Sequence, residues 1–278
     1  MSHIELIVNV EPKEQGSDVL IAELSENGFE SFVENDTGFS AYISKDIFDE
    51  SVVKELFSNY ASVFNVHFTI KTIEQQNWNK EWESSFSPIE VDGKCIIRAP
   101  FHEAQKGFVY DIIIEPKMSF GTGHHNTTQL MIQKLMKLDV PGKSLLDMGC
   151  GTGVLAILAA MMKATAVTAI DTDEWSYENT IENINKNTVS HVDVYKGDVK
   201  LLAGKIFHII LANINKNVLL ADMAEYHRAL EKGGDLILSG FFETDISELQ
   251  KQAEKLGMRL AESAVSSQWA MLHFIKNK

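Results

Sequence analysis

The chain has 278 residues, 45% hydrophobic and 23% charged, a composition that suits folded protein and a length that accommodates two domains. Its net charge is -14, and the first 60 residues carry thirteen Asp or Glu against three Lys and no Arg, which disfavours nucleic acid and suits either the steering of a basic protein partner or simple solubility. No apolar run reaches the ~18 residues of a membrane span, the amino terminus lacks a signal-like pattern, and Cys95 and Cys150 stand far apart, so a cytoplasmic protein with reduced thiols and no metal is expected.

His3 to Val10 alternates apolar and polar residues as a strand does, and Pro12 followed by Asp18 to Leu24 opens an amphipathic helix. Two β-rich runs, Phe29 to Val33 and Gly38 to Ile43, flank a turn at Glu34-Asn35-Asp36-Thr37. A helical stretch from Asp46 to Tyr60 and an alternating one from Val63 to Ile73 complete a β-α-β-β-α-β order, the pattern of ferredoxin-like α+β domains. The polar segment 75–92, with Trp78 and Trp82 four residues apart, reads as a linker helix. This divides the chain into 1–74, 75–92 and 93–278.

Beyond Gly93, strands are expected at Phe108 to Ile114, Ser144 to Met148, Ala166 to Ile170, Val192 to Tyr195, Ile206 to Leu211 and Asp235 to Leu238. Helices such as Thr127 to Leu138 and Gly153 to Met162 separate most of them, which predicts an α/β fold with a doubly wound, mostly parallel sheet. Met258 to Ala264 and Trp269 to Ile275 are too close for a crossover helix and predict an antiparallel pair at the C-terminal end.

Asp147-Met148-Gly149-Cys150-Gly151-Thr152-Gly153 joins a strand to a helix through alternating glycines, which let the backbone turn sharply and approach a ligand. The dinucleotide fingerprint would require its third glycine at Val154, which weakens an NAD-dependent oxidoreductase reading. Asp147 would repel a pyrophosphate, yet could hold the cationic aminoacyl end of S-adenosylmethionine directly or through water. Asp171, ending the next strand, can accept from two ribose hydroxyls, although Asp171 and Asp173 compete for a helix N-cap role. Asp198, after Gly197, can accept from an adenine amino group or simply close a turn. Asn213 sits at the carboxyl end of a strand and can accept a hydrogen bond from an amine; capping the following helix is its other possible role.

The loop Phe120-Gly121-Thr122-Gly123-His124-His125-Asn126-Thr127-Thr128 resembles the F-G-T-G-x-H-x-T-T loop of the class I methyltransferase family that modifies the eleventh protein of the large ribosomal subunit. Trp78 to Trp82, Ala212-Asn213-Ile214 and Leu238-Ser239-Gly240 are similar to further segments of that family. The resemblance implies a class I methyltransferase sheet behind a ferredoxin-like front domain, S-adenosylmethionine as cofactor, and a basic ribosomal protein methylated at lysine side-chain or N-terminal amines. It also implies that Phe120, Thr122, Gly123, His125, Thr127, Asp147, Gly149, Gly151, Gly153, Asp171, Asp198 and Asn213 bind the cofactor, with Asn213 orienting the substrate amine. Thr122 and His125 would contact the cofactor or brace the loop, His125 more as a hydrogen-bonding brace than as a base. Two departures are visible: Asn126 stands where the family often has proline, which should loosen the loop, and His208 follows Phe207 where an acid is usual.

A nucleic-acid amino methyltransferase would carry N-P-P-[YF], whereas this chain reads Asn213-Ile214-Asn215-Lys216. Methylation of another amine and a non-catalytic cofactor-binding protein remain alternatives. Neither a membrane nor nucleic acid is an expected partner, and nothing in the sequence demands more than a monomer.

Overall fold

The computed structural model describes residues 3–73, 87–117 and 119–278, and the chain divides into two compact units, 1–85 and 86–278. The expected linker tryptophans, Trp78 and Trp82, lie outside the described residues.

The first unit comprises β1 (His3–Glu11), α1 (Lys13–Glu26), β2 (Ser31–Asn35), β3 (Gly38–Ser44), α2 (Glu50–Asn59) and β4 (Asn65–Ile73). The strands form one antiparallel sheet in the order β2-β3-β1-β4. Ile4, Leu6, Val8 and Val10 recur with the two-residue period of a strand and bury one face against Leu20 and Leu24 of α1 and Val53, Leu56 and Phe57 of α2. α1 begins directly after Pro12, as expected, whereas α2 begins at Glu50 and not at Asp46, because the Asp49 carboxylate accepts the Ser51 N–H as its N-cap.

The second unit opens with β5 (Ile89–Val91), β6 (Cys95–Arg98) and β7 (Tyr110–Ile113), which form a three-stranded sheet of their own. The last part of segment 75–92 is therefore strand and not linker helix. A turn signal is present there: between Val91 and Cys95, Asp92 and Gly93 have φ of 51° and 62° and form the centre of a turn closed by the Lys94 N–H on the Val91 carbonyl at 3.1 Å. Arg98 and Asp111 pair bidentately at 2.7 and 3.0 Å to tie β6 to β7.

Next come α3 (Asn126–Leu135), β8 (Ser144–Met148), α4 (Val154–Met161), β9 (Ala166–Asp171), α5 (Glu174–Asn187), β10 (Val192–Lys196) and β11 (Phe207–Asn213). They are followed by α6 (Lys216–Ala229), β12 (Leu230–Phe242), α7 (Ile246–Lys255), β13 (Met258–Ser266) and β14 (Trp269–Lys276). The seven-stranded sheet has the order β10-β9-β8-β11-β12-β14-β13, with β14 antiparallel to both neighbours and the other pairings parallel. Leu145 and Leu146 are consecutive and both fully buried, one in the core beneath α3 and α4 and the other in the core beneath α6 and α7. A strand covered on both faces has lost the alternation that would mark its outer side.

Chain order runs outward from β8 through β9 to β10, then returns to β11 on the other side of β8. The crevice between oppositely directed crossovers opens at the carboxyl ends of β8 and β11, where open α/β sheets bind ligands. Among the described residues, no helix is long and apolar enough to cross a membrane.

Candidate active site

A cavity of about 520 Å³ occupies this switch point, with Gly149 and Gly151 from the β8 turn, Asp171 from β9, Asp198 after β10 and Asn213 from β11 along its wall. Phe120, His125 and Thr127 close it from the loop that leads into α3. Eight of the residues singled out from sequence thus share one cavity, whereas Thr122, Gly123, Asp147 and Gly153 do not line it.

The glycine turn is pinned from both sides. Gly149 and Cys150 donate backbone N–H groups to the Ile170 carbonyl at 2.8 and 3.1 Å, and Gly151 N–H donates to the Asp171 carboxylate at 2.9 Å. Above it, Thr152 donates its N–H to the Phe120 carbonyl (2.9 Å) and its hydroxyl to the Gly121 carbonyl (2.7 Å). Gly151 has a φ of 56°, and a Cβ there would stand 2.2 Å from the Phe120 carbonyl oxygen. Only glycine lets the loop lie this closely on the turn.

Asp173 accepts the Ser176 N–H as N-cap of α5, so Asp171 is left to face the cavity. One Asp171 oxygen holds Gly151 and the other accepts from Asp173 N–H at 3.0 Å. Asp198 caps a short helical turn by accepting the Lys200 N–H, a bond that, with the Lys200 ammonium, holds its carboxyl below the usual carboxylate range.

Asp147 does not line the cavity. It is 1% exposed beneath the turn, and its carboxylate accepts the Ala156 N–H in the first turn of α4 at 3.1 Å. Burial, with Asp171 nearby, pushes this carboxyl up to about 7. The inward direction follows from strand parity: Asp147 and Leu145 point to the same face, that of α4. Its position still bears on the ligand class, because its oxygen already takes the Ala156 N–H at the N-terminus of α4, one of the donors a pyrophosphate would use there. Gly153, the N-cap of α4, is there for packing: a Cβ would meet the Thr180 methyl at 2.8 Å. Gly123 likewise sits against Ile97, and the Thr122 hydroxyl lies 3.3 Å from His124 Nδ1.

His125 braces the loop. Its Nδ1 accepts the Thr127 N–H as N-cap of α3 and lies 2.7 Å from the Thr127 hydroxyl, while burial pushes the imidazole toward its neutral form. Asn126, the position expected to loosen the loop, instead accepts a hydrogen bond from the Ser266 hydroxyl at 3.3 Å and ties α3 to the β13–β14 turn.

Of six described residues with a buried side-chain polar atom that lacks a hydrogen-bond partner, Asn213 is the one that lines the cavity. Its side-chain oxygen is buried with no hydrogen-bond partner, and the N-cap of α6 is filled by Asn215, which accepts from Val218 N–H. An unpaired buried acceptor is costly and rare in a folded protein unless a ligand completes it. Further cavity residues were not assigned to the site from sequence: Asp222 and Trp269 carried no signal for it, and Ile214 and Gly240 were noted only within segments that resemble the family. Ile214 packs where a Gly149 Cβ would be, and Trp269 arrives from β14 only because that strand reverses direction.

Glycine floor, two carboxylates at one end and an unpaired amide oxygen at the other fit a nucleoside cofactor with a cationic tail. Together with the β10-β9-β8-β11-β12-β14-β13 sheet, they define a class I S-adenosylmethionine-dependent methyltransferase. The family model described as ribosomal protein L11 methyltransferase (PrmA) matches residues 7–277. Curated relatives named ribosomal protein L11 methyltransferase include one from Phocaeicola vulgatus, 43% identical over 99% of both chains. Another, from Porphyromonas gingivalis, is 46% identical over 94% of this chain and 91% of its own. A solved ribosomal protein L11 methylase from Lactobacillus delbrueckii subsp. bulgaricus shares the fold with a TM-score of 0.65 at 23% identity, covering 69% of this chain and 100% of that one. The chain belongs to the ribosomal protein L11 methyltransferase family, and S-adenosylmethionine is its cofactor.

Proposed function

We propose that this methyltransferase modifies ribosomal protein L11 at lysine side-chain amines, the N-terminal amine, or both. The observation that carries this reading is the buried, unpartnered Asn213 oxygen at the carboxyl edge of β11. S-adenosylmethionine, when bound, supplies an electrophilic methyl group on a sulfonium. The chain must present an unprotonated nitrogen to it, although a lysine amine has an ordinary pKa of ~10.4 and an N-terminal amine one of ~7.7 to 8.0.

A neutral amide oxygen suits that task. It accepts an N–H from the amine and so aims the nitrogen lone pair, while holding the ammonium form less strongly than a carboxylate would. Asp171 and Asp198 are the acceptors for the nucleoside, on the β9 and β10 side of the cavity, and the Phe120 to Thr127 loop covers the glycine turn.

The first unit supplies recognition. Glu30, Glu34 and Asp36 are exposed on and beside β2 and its turn to β3, within the most acidic part of the chain, and attract a basic ribosomal protein over about a Debye length. Neutralising these three should raise KM for L11 and leave kcat unchanged.

Fragment mass spectrometry of L11 after turnover tests the amine assignment. Added methyls should map to lysine and N-terminal nitrogens; methyls confined to histidine, glutamine or carboxylate side chains would overturn it.

A further inference from the structure

Four rings run outward from the cavity in one connected series. Phe120 meets His125 at 5.2 Å between centroids, His125 meets Trp269 edge-on at 4.5 Å, and Trp269 lies 4.3 Å from Phe242 at an angle of 30°. Phe120, His125 and Trp269 line the cavity, whereas Phe242 stands behind Trp269 and is 46% exposed; Phe120 is 53% exposed. The two half-exposed rings stand at the ends of a connected aromatic series that runs along one side of the cavity, which gives a ligand there a continuous aromatic surface to contact.

The backbone holds Trp269 in place at a cost. It is preceded by Ser267 and Gln268, both with positive φ (46° and 72°), in the turn between β13 and β14. Neither residue is glycine, and such conformations are strained for side-chain-bearing residues. The Gln268 carbonyl accepts the Glu243 N–H at 2.8 Å, and Ser266 is bonded to Asn126, so both neighbouring elements fix the turn.

Sheet order says which molecule the rings face. The nucleoside carboxylates lie on β9 and β10, the glycine turn on β8, Asn213 on β11 and Trp269 on β14. At ~4.8 Å per strand, Trp269 stands ~10 Å from Asn213's strand and ~19 Å from that of Asp171, on the side away from the nucleoside. The faces of Trp and Phe attract cations, ammonium and alkylammonium groups among them.

We propose that Trp269, backed by Phe242 and continued by Phe120, is a specificity wall that receives the incoming side chain in its cationic form, ammonium or already methylated, before a nitrogen that is to react gives its proton to solvent and meets Asn213. The proposal rests on the amine-methyltransferase reading and deepens it: Asn213 orients the reacting nitrogen, and the wall selects chains that bring a positive charge to it.

The test uses the full chain with S-adenosylhomocysteine and two lysine peptides of L11, titrated by calorimetry. One carries Nε-trimethyllysine, and the other carries its uncharged isostere, with carbon in place of the nitrogen. The wild type should bind the charged peptide about 5- to 30-fold more tightly. Trp269→Ala should bring that ratio close to one, Trp269→Phe should retain part of it, and Phe242→Ala should lower it partially. A wild-type ratio of one overturns the proposal, and that result needs no variant to fold. A ratio unchanged in Trp269→Ala, with the preference for S-adenosylmethionine over S-adenosylhomocysteine lost instead, also overturns it by assigning the ring to the sulfonium. Absence of any methyl transfer to L11 amines would remove the underlying reading, whereas transfer with equal peptide affinities removes only the wall.

Discussion

Replacing Gly151 with alanine separates backbone strain from the close approach that builds the cofactor floor. At a φ of 56°, a Cβ costs about 1 to 2 kcal/mol whatever surrounds it. The new Cβ would also lie 2.2 Å from the Phe120 carbonyl oxygen, more than an ångström inside normal contact, and the obstacle is backbone. The loop must lift, which breaks the bonds from Thr152 N–H to Phe120 and from the Thr152 hydroxyl to Gly121, worth roughly 0.5 to 1.5 kcal/mol each. A penalty of about 1 to 3 kcal/mol then falls on the conformation that closes over the ligand, which weakens S-adenosylmethionine binding about 5- to 150-fold. Gly142→Ala is the control: its φ is 77°, but a Cβ there meets nothing within 4 Å. Calorimetric titration of both variants should show weakened binding for Gly151→Ala alone. Equal affinities in the two would refute the claim that the loop rests on the turn.

Other consequences are open to simpler measurements. Asn213→Ala removes a buried unpaired acceptor, so its thermal midpoint should stay the same or rise while kcat falls about 100-fold or more, a combination that differential scanning and single-turnover kinetics would show. Asn213→Asp should also lose activity at neutral pH, with partial recovery as pH rises, because a carboxylate holds the substrate as ammonium. Asp147 is an acid raised from 3.8 to about 7 by burial, so its contribution to stability is greatest below about 3.8 and is lost as pH rises toward 7. Once ionised it costs on the order of 4 kcal/mol, so ligand-free Asp147→Asn should unfold at a higher temperature than wild type near pH 8, with the gap closing near pH 4. A gap that widened on acidification would contradict the buried position.

Much of this site is written in short stretches of chain. Gly149, Gly151, Asp171, Asp198 and Asn213 each end a strand or open a turn, and a doubly wound sheet gathers such ends in one crevice. Asp147 belongs to the same stretch, but its direction was not legible: β8 is covered on both faces, so its hydrophobicity does not reveal which side meets the ligand. Trp269 was invisible for another reason. It comes from a strand that enters the sheet between β12 and β13 against the direction of the others, and only that topology brings it to the carboxyl edge. The β5–β6 hairpin did carry a local signal at Asp92-Gly93; the polar sequence before it obscured a strand of only three residues.

The loop from Phe120 to Thr128 joins these two kinds of information. Its glycines and His125 are recognisable as a motif, yet what they do depends on partners far along the chain: Thr152 beneath, Ile97 behind and Trp269 beside. Asn126 shows the same dependence, since a residue that looks like a loss of proline rigidity is a hydrogen-bonding tie to Ser266.

Intact mass spectrometry of unmodified L11 after incubation with S-adenosylmethionine and either wild-type chain or Asn213→Ala isolates the role of Asn213 in amine methylation. Gains in steps of ~14 Da are expected with wild type and none at matched times with the variant, although the variant retains its fold. Equal gains with both proteins would contradict the assignment of Asn213, and no gain with wild type, with S-adenosylmethionine binding intact, would contradict L11 as the substrate.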